Sequence, residues 1–166
     1  IGRSGIFGCR PSNLTVQNSD LILAIGTRLS VPQTGHAAHL FAPDAKKIVV
    51  DIDPAEATKS TIKADLPVAA DAKAFIVAML VATLEEMGPR EPVARHRTWL
   101  HLCRGWRDRY PVMCGEYRHS DEGVNSYFAV EELAKHLPDD AIVVTDVGAA
   151  FISTMQSMPL RKGQRL

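Results

Sequence analysis

Three apolar runs organise the chain: Leu21–Ile25 (LILAI), Ile48–Val50 inside KKIVVDIDPAE, and Ala141–Thr145 (AIVVT). Short continuous runs of this kind suit strands buried on both faces. Each is followed by residues that end a strand. Gly26 follows the first, and Asp146 and Gly148 follow the third. The second passes Asp51 and Asp53 and meets Pro54, which has no amide hydrogen to continue a ladder. A shorter stretch, Asp65–Ala70 (DLPVAA), fits a strand near a sheet edge because it contains Pro67.

Between these runs the spacing turns helical. Residues 11–19 fit a short helix, opened by Pro11 or capped by Ser12. Ala55–Ser60 fits one or two turns. Asp71 fits the N-cap of a helix bearing Phe75, Ile76, Met79, Leu80 and Leu84, a stripe expected to pack in the core, and Gly88-Pro89 stops it. Leu29–Asp44 and Tyr110–Gly123 read as irregular. Helix and strand alternate over residues 1–88, the signature of a parallel α/β sheet. A linker at Gly88, Pro89 and Pro92 then leads to a basic segment, Arg95–Arg109. Basic and aromatic residues together suggest nucleic-acid binding. However, Trp99, Leu102, Trp106 and Tyr110 share one helical face, which favours a packing helix with solvated arginines. From Ser126, fit to cap a helix with Tyr127, Val130, Leu133, Ala134 and Leu137, a second α/β pattern begins.

Composition narrows the choices. At 166 residues the chain fits one domain or pieces of two. Nineteen basic residues balance nineteen acidic ones, so no general attraction to nucleic acid or to an anionic membrane follows. No apolar run approaches the ~20 residues of a membrane-spanning helix, and no signal-peptide pattern is present. Cys9, Cys103 and Cys114 are scattered and odd in number, as expected of reduced thiols in a cytoplasmic protein. The start at Ile1 and the basic tail Arg161–Leu166 suggest a piece of something longer.

Candidate chemistry lies where strands end. Open α/β sheets bind ligands at the carboxyl edge, so Asp51 could accept hydrogen bonds from a ribose and Arg28, after Gly26, could hold a phosphate. The alternatives are a solvated strand end, with Asp53 capping a helix, and a surface arginine on a turn. Gly2, Gly5 and Gly8 recur every three residues but do not form GxGxxG; a flexible loop is the simpler reading. His36 and His39 stand three apart without a third ligand at a useful spacing, too little for a metal site.

The segments GIFG, SNLTVQNSDLILAIGTR, FAPDAKKIVVDIDPAE, AADAKAFI and SYFAVEELAKHLPDDAIVVTDVG together resemble the acetolactate-synthase-like branch of the thiamine-diphosphate-dependent enzymes. The resemblance is weakest over residues 89–125. It implies that residues 1–90 are the second half of a Rossmann-like central domain, that 91–125 are a linker and packing helix, and that 126–166 begin the domain binding the cofactor diphosphate. It implies decarboxylation of a 2-keto acid such as pyruvate and transfer of the resulting carbanion to a carbonyl acceptor, with thiamine diphosphate and Mg²⁺. Gly148, Ala149 and Ala150 match the turn that meets the diphosphate. Gly5, Ile6, Phe7, Gly8, Gly26, Arg28, Asp51 and Asp71 match flavin-contacting positions of members that bind FAD. Leu29-Ser30 replaces an acidic pair of those members, which leaves FAD open. The family's catalytic glutamate and its metal-binding GDG motif have no counterpart here, so no residue is assigned a catalytic or metal role. An isolated 166-residue chain is expected to be inactive.

VNSYFAV and TMQSMPLRKGQRL also resemble relatives associated with surface-polysaccharide and deoxysugar synthesis, which implies a keto-sugar acceptor. A homo-oligomer, dimer or tetramer, is expected, without nucleic acid or membrane. Two other readings remain. Asp51 at a strand end is compatible with an NAD-dependent dehydrogenase, though GxGxxG is missing. Open strand edges and apolar faces are compatible with a non-catalytic α/β assembly module.

Overall fold

The computed structural model describes residues 1–87, 94–119, 121 and 123–166. Along the chain come α1 (Arg10–Gln17), β1 (Leu21–Ile25), α2 (Val31–Thr34), β2 (Lys46–Asp51), α3 (Pro54–Ala57), β3 (Leu66–Ala69) and α4 (Ala72–Met87). Then follow α5 (Ala94–Arg109), α6 (Ser126–His136) and α7 (Ala149–Ser157).

The three strands form a parallel sheet in the order β1-β2-β3. The α/β architecture is therefore the one expected from the alternating pattern. β2 has neighbours on both sides, and the apolar run inside it is buried: Val49 is 4% exposed and Val50 0%. Pro67 lies in β3, the outer strand, where a missing amide hydrogen is tolerated. One sheet face is packed by Ala24, Val49, Leu29, Phe41 and Ile62, with Val16 of α1 against them. Leu29 reaches this core with a φ of 43°.

α1 starts at Arg10 with Pro11 in its first turn. Ser12 is therefore inside the helix and buried, not its cap. The Leu29–Asp44 segment is less irregular than its prolines and glycine suggest, since it holds α2 and a 3₁₀ turn at Ala38–Leu40. The expected linker at Gly88–Pro92 falls outside the described residues.

α4 departs from expectation. Its apolar stripe does not pack in the core. Ala72 and Phe75 are half-buried, whereas Ile76, Met79, Leu80 and Leu84 are all exposed. Helical spacing located the helix, but the helix is apolar on more than one side, and the sheet covers only its first turn.

α5 packs against α1. Trp99 and Trp106 meet edge to face at 5.8 Å, and the Arg10 guanidinium lies 4.3 Å from the Tyr110 ring centre. Arg97, Arg104, Arg107 and Arg109 of α5 stay in solvent, as a packing helix requires. The buried member of its face is Cys103, while Leu102 is exposed.

Asn125, not Ser126, caps α6: its side-chain oxygen accepts from the Tyr127 N–H at 2.9 Å. Leu133 of this helix is exposed, whereas Ala134 is buried. The run Ala141–Thr145 is not a strand. Its one pairing among the described residues is an isolated bridge between Ile142 and Arg165. A strand needs a neighbour, and residues 126–166 hold no second run of this type.

Candidate functional site

Register brings Gly26, Asp51 and Asp71 to one edge of the sheet. Ile25 pairs with Val50, and Asp51 with Ala69. Beyond these pairs the Gly26 N–H donates to the Val50 carbonyl at 2.8 Å, and the Ala70 N–H to the Asp51 carbonyl at 3.0 Å. A Cβ placed on Gly26 would lie 3.9 Å from that of Ala72, so the start of α4 stands beside the end of β1. Gly26, Asp51 and Asp71 thus line the carboxyl edge of the sheet, where α/β folds place ligands.

The charged groups there are engaged within the chain. The Asp51 carboxylate accepts from the Asp53 N–H at 2.9 Å. Asp53 accepts from the Ala55 N–H at 2.8 Å and caps α3, as its place before Pro54 suggested. Asp71 accepts from the Ala74 N–H at 2.9 Å and so caps α4. Arg28 sends two hydrogen bonds, 3.0 and 3.1 Å long, to one oxygen of Glu56. Lys59 donates to the other oxygen at 2.9 Å and also to the Arg28 carbonyl. The hydrogen bond from Lys59, then that from Arg28, holds the Glu56 carboxyl below its usual value.

A second feature is the loop of residues 3–8. Asn13 clamps it from α1: its amide oxygen accepts from the Gly5 N–H at 2.7 Å, and its amide nitrogen donates to the Gly5 carbonyl at 2.9 Å. The Ile6 N–H donates to the Pro32 carbonyl at 2.8 Å. Between this loop, α1 and the turn after α2 lies a cavity of about 580 Å³. Gly5, Ile6 and Gly8 line it, but Gly26, Arg28, Asp51 and Asp71 do not. Sequence reasoning missed Asn13, Gln33 and Gln156 on its wall. They come from three separate segments, and no local spacing marks them.

Gly148, Ala149 and Ala150 form the exposed N-terminal turn of α7. Gly148 has a φ of 94°, and nothing lies within 4 Å of where its Cβ would stand. α7 meets the first half of the chain through Phe151, Met155 and Gln156. Phe151 packs on Phe7, Gln156 donates to the Gly8 carbonyl at 3.1 Å, and Arg3 donates to the Met155 carbonyl. The Gly148 turn and the sheet edge are therefore two separate places, joined through the 3–8 loop.

Comparison with known proteins identifies the class. Residues 1–79 match the family described as thiamine pyrophosphate enzyme, central domain. The chain is 30% identical over 165 residues to the acetolactate synthase isozyme 3 large subunit of Escherichia coli, covering 99% of this chain and 28% of that protein. It is 34% identical over 148 residues to an acetolactate synthase of Mycobacterium bovis, covering 89% and 23%. To the large subunit from Parasynechococcus marenigrum it is 34% identical over 165 residues, covering 99% and 25%. Residues 1–79 thus carry the signature of the central domain of thiamine-diphosphate-dependent enzymes, and the chain as a whole is similar to acetolactate synthases. It spans about a quarter of the length of these curated relatives.

Proposed function

We propose that this chain is part of an enzyme that uses thiamine diphosphate to decarboxylate a 2-keto acid of the pyruvate class and to transfer the acyl carbanion to a carbonyl acceptor. The observation that carries this reading is its relation to acetolactate synthases across nearly all of its length. Residues 1–90 serve as the second half of the central domain, 91–125 as a linker with a packing helix, and 126–166 as the opening of the diphosphate domain.

Gly148–Ala150 suit the cofactor's diphosphate. A helix N-terminus presents backbone N–H groups to an anion, and an exposed glycine with open space where a Cβ would stand lets an oxyanion approach the backbone. When bound, thiamine diphosphate supplies the thiazolium that stabilises the carbanion. This chain's share is to hold the diphosphate end. The family's metal-binding GDG motif has no counterpart in residues 1–166, so this chain is assigned no Mg²⁺ ligand set. Of the residues matched to FAD, Gly5, Ile6 and Gly8 line the cavity, whereas Arg28, Asp51 and Asp71 hold hydrogen bonds within the chain, and no step is assigned to a flavin.

The acceptor is a second 2-keto acid, or a keto-sugar if the resemblance of residues 124–130 and 154–166 to sugar-modifying relatives holds. The protein works as a homo-oligomer in the cytoplasm, consistent with three free cysteines. Among the described residues no helix is long and apolar enough to cross a membrane.

The test is turnover by the product of the complete open reading frame with pyruvate, Mg²⁺ and thiamine diphosphate. Cofactor-dependent release of carbon dioxide and formation of a carboligated product are expected. No cofactor-dependent turnover with either acceptor class overturns the reading. The isolated 166 residues are expected to give none, and detectable activity from them would refute the assignment of catalytic groups to other segments.

A further inference from the structure

α7 carries a buried hydroxyl that its helix does not need. Ser153 is 1% exposed, and its Oγ donates to the Ala149 carbonyl at 2.6 Å and reaches the Ala150 carbonyl at 3.3 Å. Serine is a weaker helix former than alanine, and a hydroxyl that bonds back to the preceding turn adds no helix stability. The two carbonyls also have regular helical partners, the N–H groups of Ser153 and Thr154. The hydroxyl is therefore an extra donor on both.

Its effect falls on the other end of those peptide groups. The Ala149 carbonyl shares a peptide group with the Ala150 N–H, and the Ala150 carbonyl with the Phe151 N–H. These N–H groups belong to the first turn of α7, which has no intrahelical acceptors for them, and Gly148, the N-cap, has no side chain to take them. A hydrogen bond accepted at one end of a peptide group polarises it and strengthens the donor at the other. Gly148, Ala149 and Ala150 are exposed, and among the described residues Ser153 is the one side chain hydrogen-bonded to this turn. The contacts with the 3–8 loop grip α7 only from Phe151 onward.

We propose that Ser153 is a positioning residue for the cofactor's diphosphate: its buried hydroxyl holds the peptide groups of Ala149 and Ala150 and strengthens the N–H donors they offer to the anion. This rests on the reading that Gly148–Ala150 hold the diphosphate. Ser157 supplies the comparison. One turn later, its Oγ donates to the Ser153 carbonyl at 2.7 Å, the same bond in the same helix. The N–H at the far end of that peptide group is that of Thr154, which is already spent on the Ala150 carbonyl. Ser157 also reaches the Tyr127 carbonyl at 3.4 Å, so its loss is the more structural of the two.

The experiment compares Ser153→Ala and Ser157→Ala with wild type in the product of the complete open reading frame. Isothermal titration measures thiamine diphosphate binding with Mg²⁺ present, thermal melting without cofactor measures the fold, and kinetics with pyruvate separate KM from kcat. Ser153→Ala is expected to melt at or above the wild-type temperature, since alanine is the better helix former and both carbonyls keep their helical partners. Its Kd and KM for thiamine diphosphate are expected to rise about 3–10-fold, with kcat at saturating cofactor unchanged. Ser157→Ala is expected to bind the cofactor like wild type. A structural role alone predicts the reverse: a lower melting temperature and no selective loss of cofactor affinity. Wild-type affinity in Ser153→Ala, or an equal loss in both variants, would overturn this proposal alone. A wild type without affinity for thiamine diphosphate would overturn the proposed function together with it.

Discussion

Phe7 and Phe151 meet edge to face, with ring centres 5.0 Å apart and planes at 80°. This pair ties the 3–8 loop to α7 across almost the whole length of the chain. It stands beside the hydrogen bond from Gln156 to Gly8, so two kinds of contact hold the same seam. An aromatic pair in this geometry contributes about 0.5–1.5 kcal/mol beyond its buried area. Phe151→Ala is expected to lower stability by roughly 2 kcal/mol in urea unfolding, since the ring is half-buried. A double-mutant cycle with Phe7→Ala should show coupling of about 1 kcal/mol. Additive losses would mean that the rings do not interact.

Asn13 is the expected weak point of the cavity wall. It both accepts from and donates to the backbone of Gly5, and Asn13→Ala removes two neutral hydrogen bonds worth about 1 kcal/mol each. Asn13→Asp keeps the acceptor and loses the donor, so its melting temperature should fall between those of wild type and Asn13→Ala. Gly5→Ala should cost more. The backbone there has a φ of 109°, and the added Cβ would stand 2.3 Å from the Pro32 carbonyl oxygen. Strain of this kind costs roughly 1–3 kcal/mol before the clash is counted. Thermal melts of the three variants rank the effects.

The sequence made the sheet legible because its strands supply one another. LILAI, KKIVVD and LPVA each have a parallel neighbour, and Asp53 and Asp71 cap as local chemistry dictates. AIVVT carries the same signature but pairs through one bridge only, since periodicity describes a segment and not its partner. For the same reason the stripe on α4 announced a helix without saying what would cover it. Asn125 and Ser126 are equally good caps by type, and one residue of backbone geometry decides for Asn125. The candidate site was legible as glycines and acids at strand ends. Its wall was not, because Asn13, Gln33 and Gln156 meet only after folding.

Glu56 sets a pH dependence with a definite sign. Hydrogen bonds from Lys59 and then Arg28 lower its folded-state pKa. A lowered carboxyl value stabilises the fold above the unfolded glutamate pKa, and that stabilisation is lost as pH falls through the folded one. Its partner Arg28 is largely in solvent, so the effect on stability is small and screened by salt. In an NMR titration Glu56 should titrate below the usual glutamate range, and Lys59→Ala should move it upward further than Arg28→Ala does. An upward shift only with Arg28→Ala would reverse the ranking of the two donors.

Two valines test what burial adds to an apolar run. Val50 and Val144 both sit in β-branched runs that read as strands, yet Val50 is 0% exposed and Val144 is 89% exposed. Val50→Ala removes packed methyl groups from the central strand and leaves a cavity on one face of the sheet. By the transfer and cavity costs of large-to-small changes it should lose about 2–3 kcal/mol. Val144→Ala removes the same atoms from water and should change stability by less than about 0.5 kcal/mol. Urea unfolding of both variants measures the contrast. Equal losses would mean that Ala141–Thr145 is paired and buried in solution, and the single bridge from Ile142 to Arg165 would then understate its role in the fold.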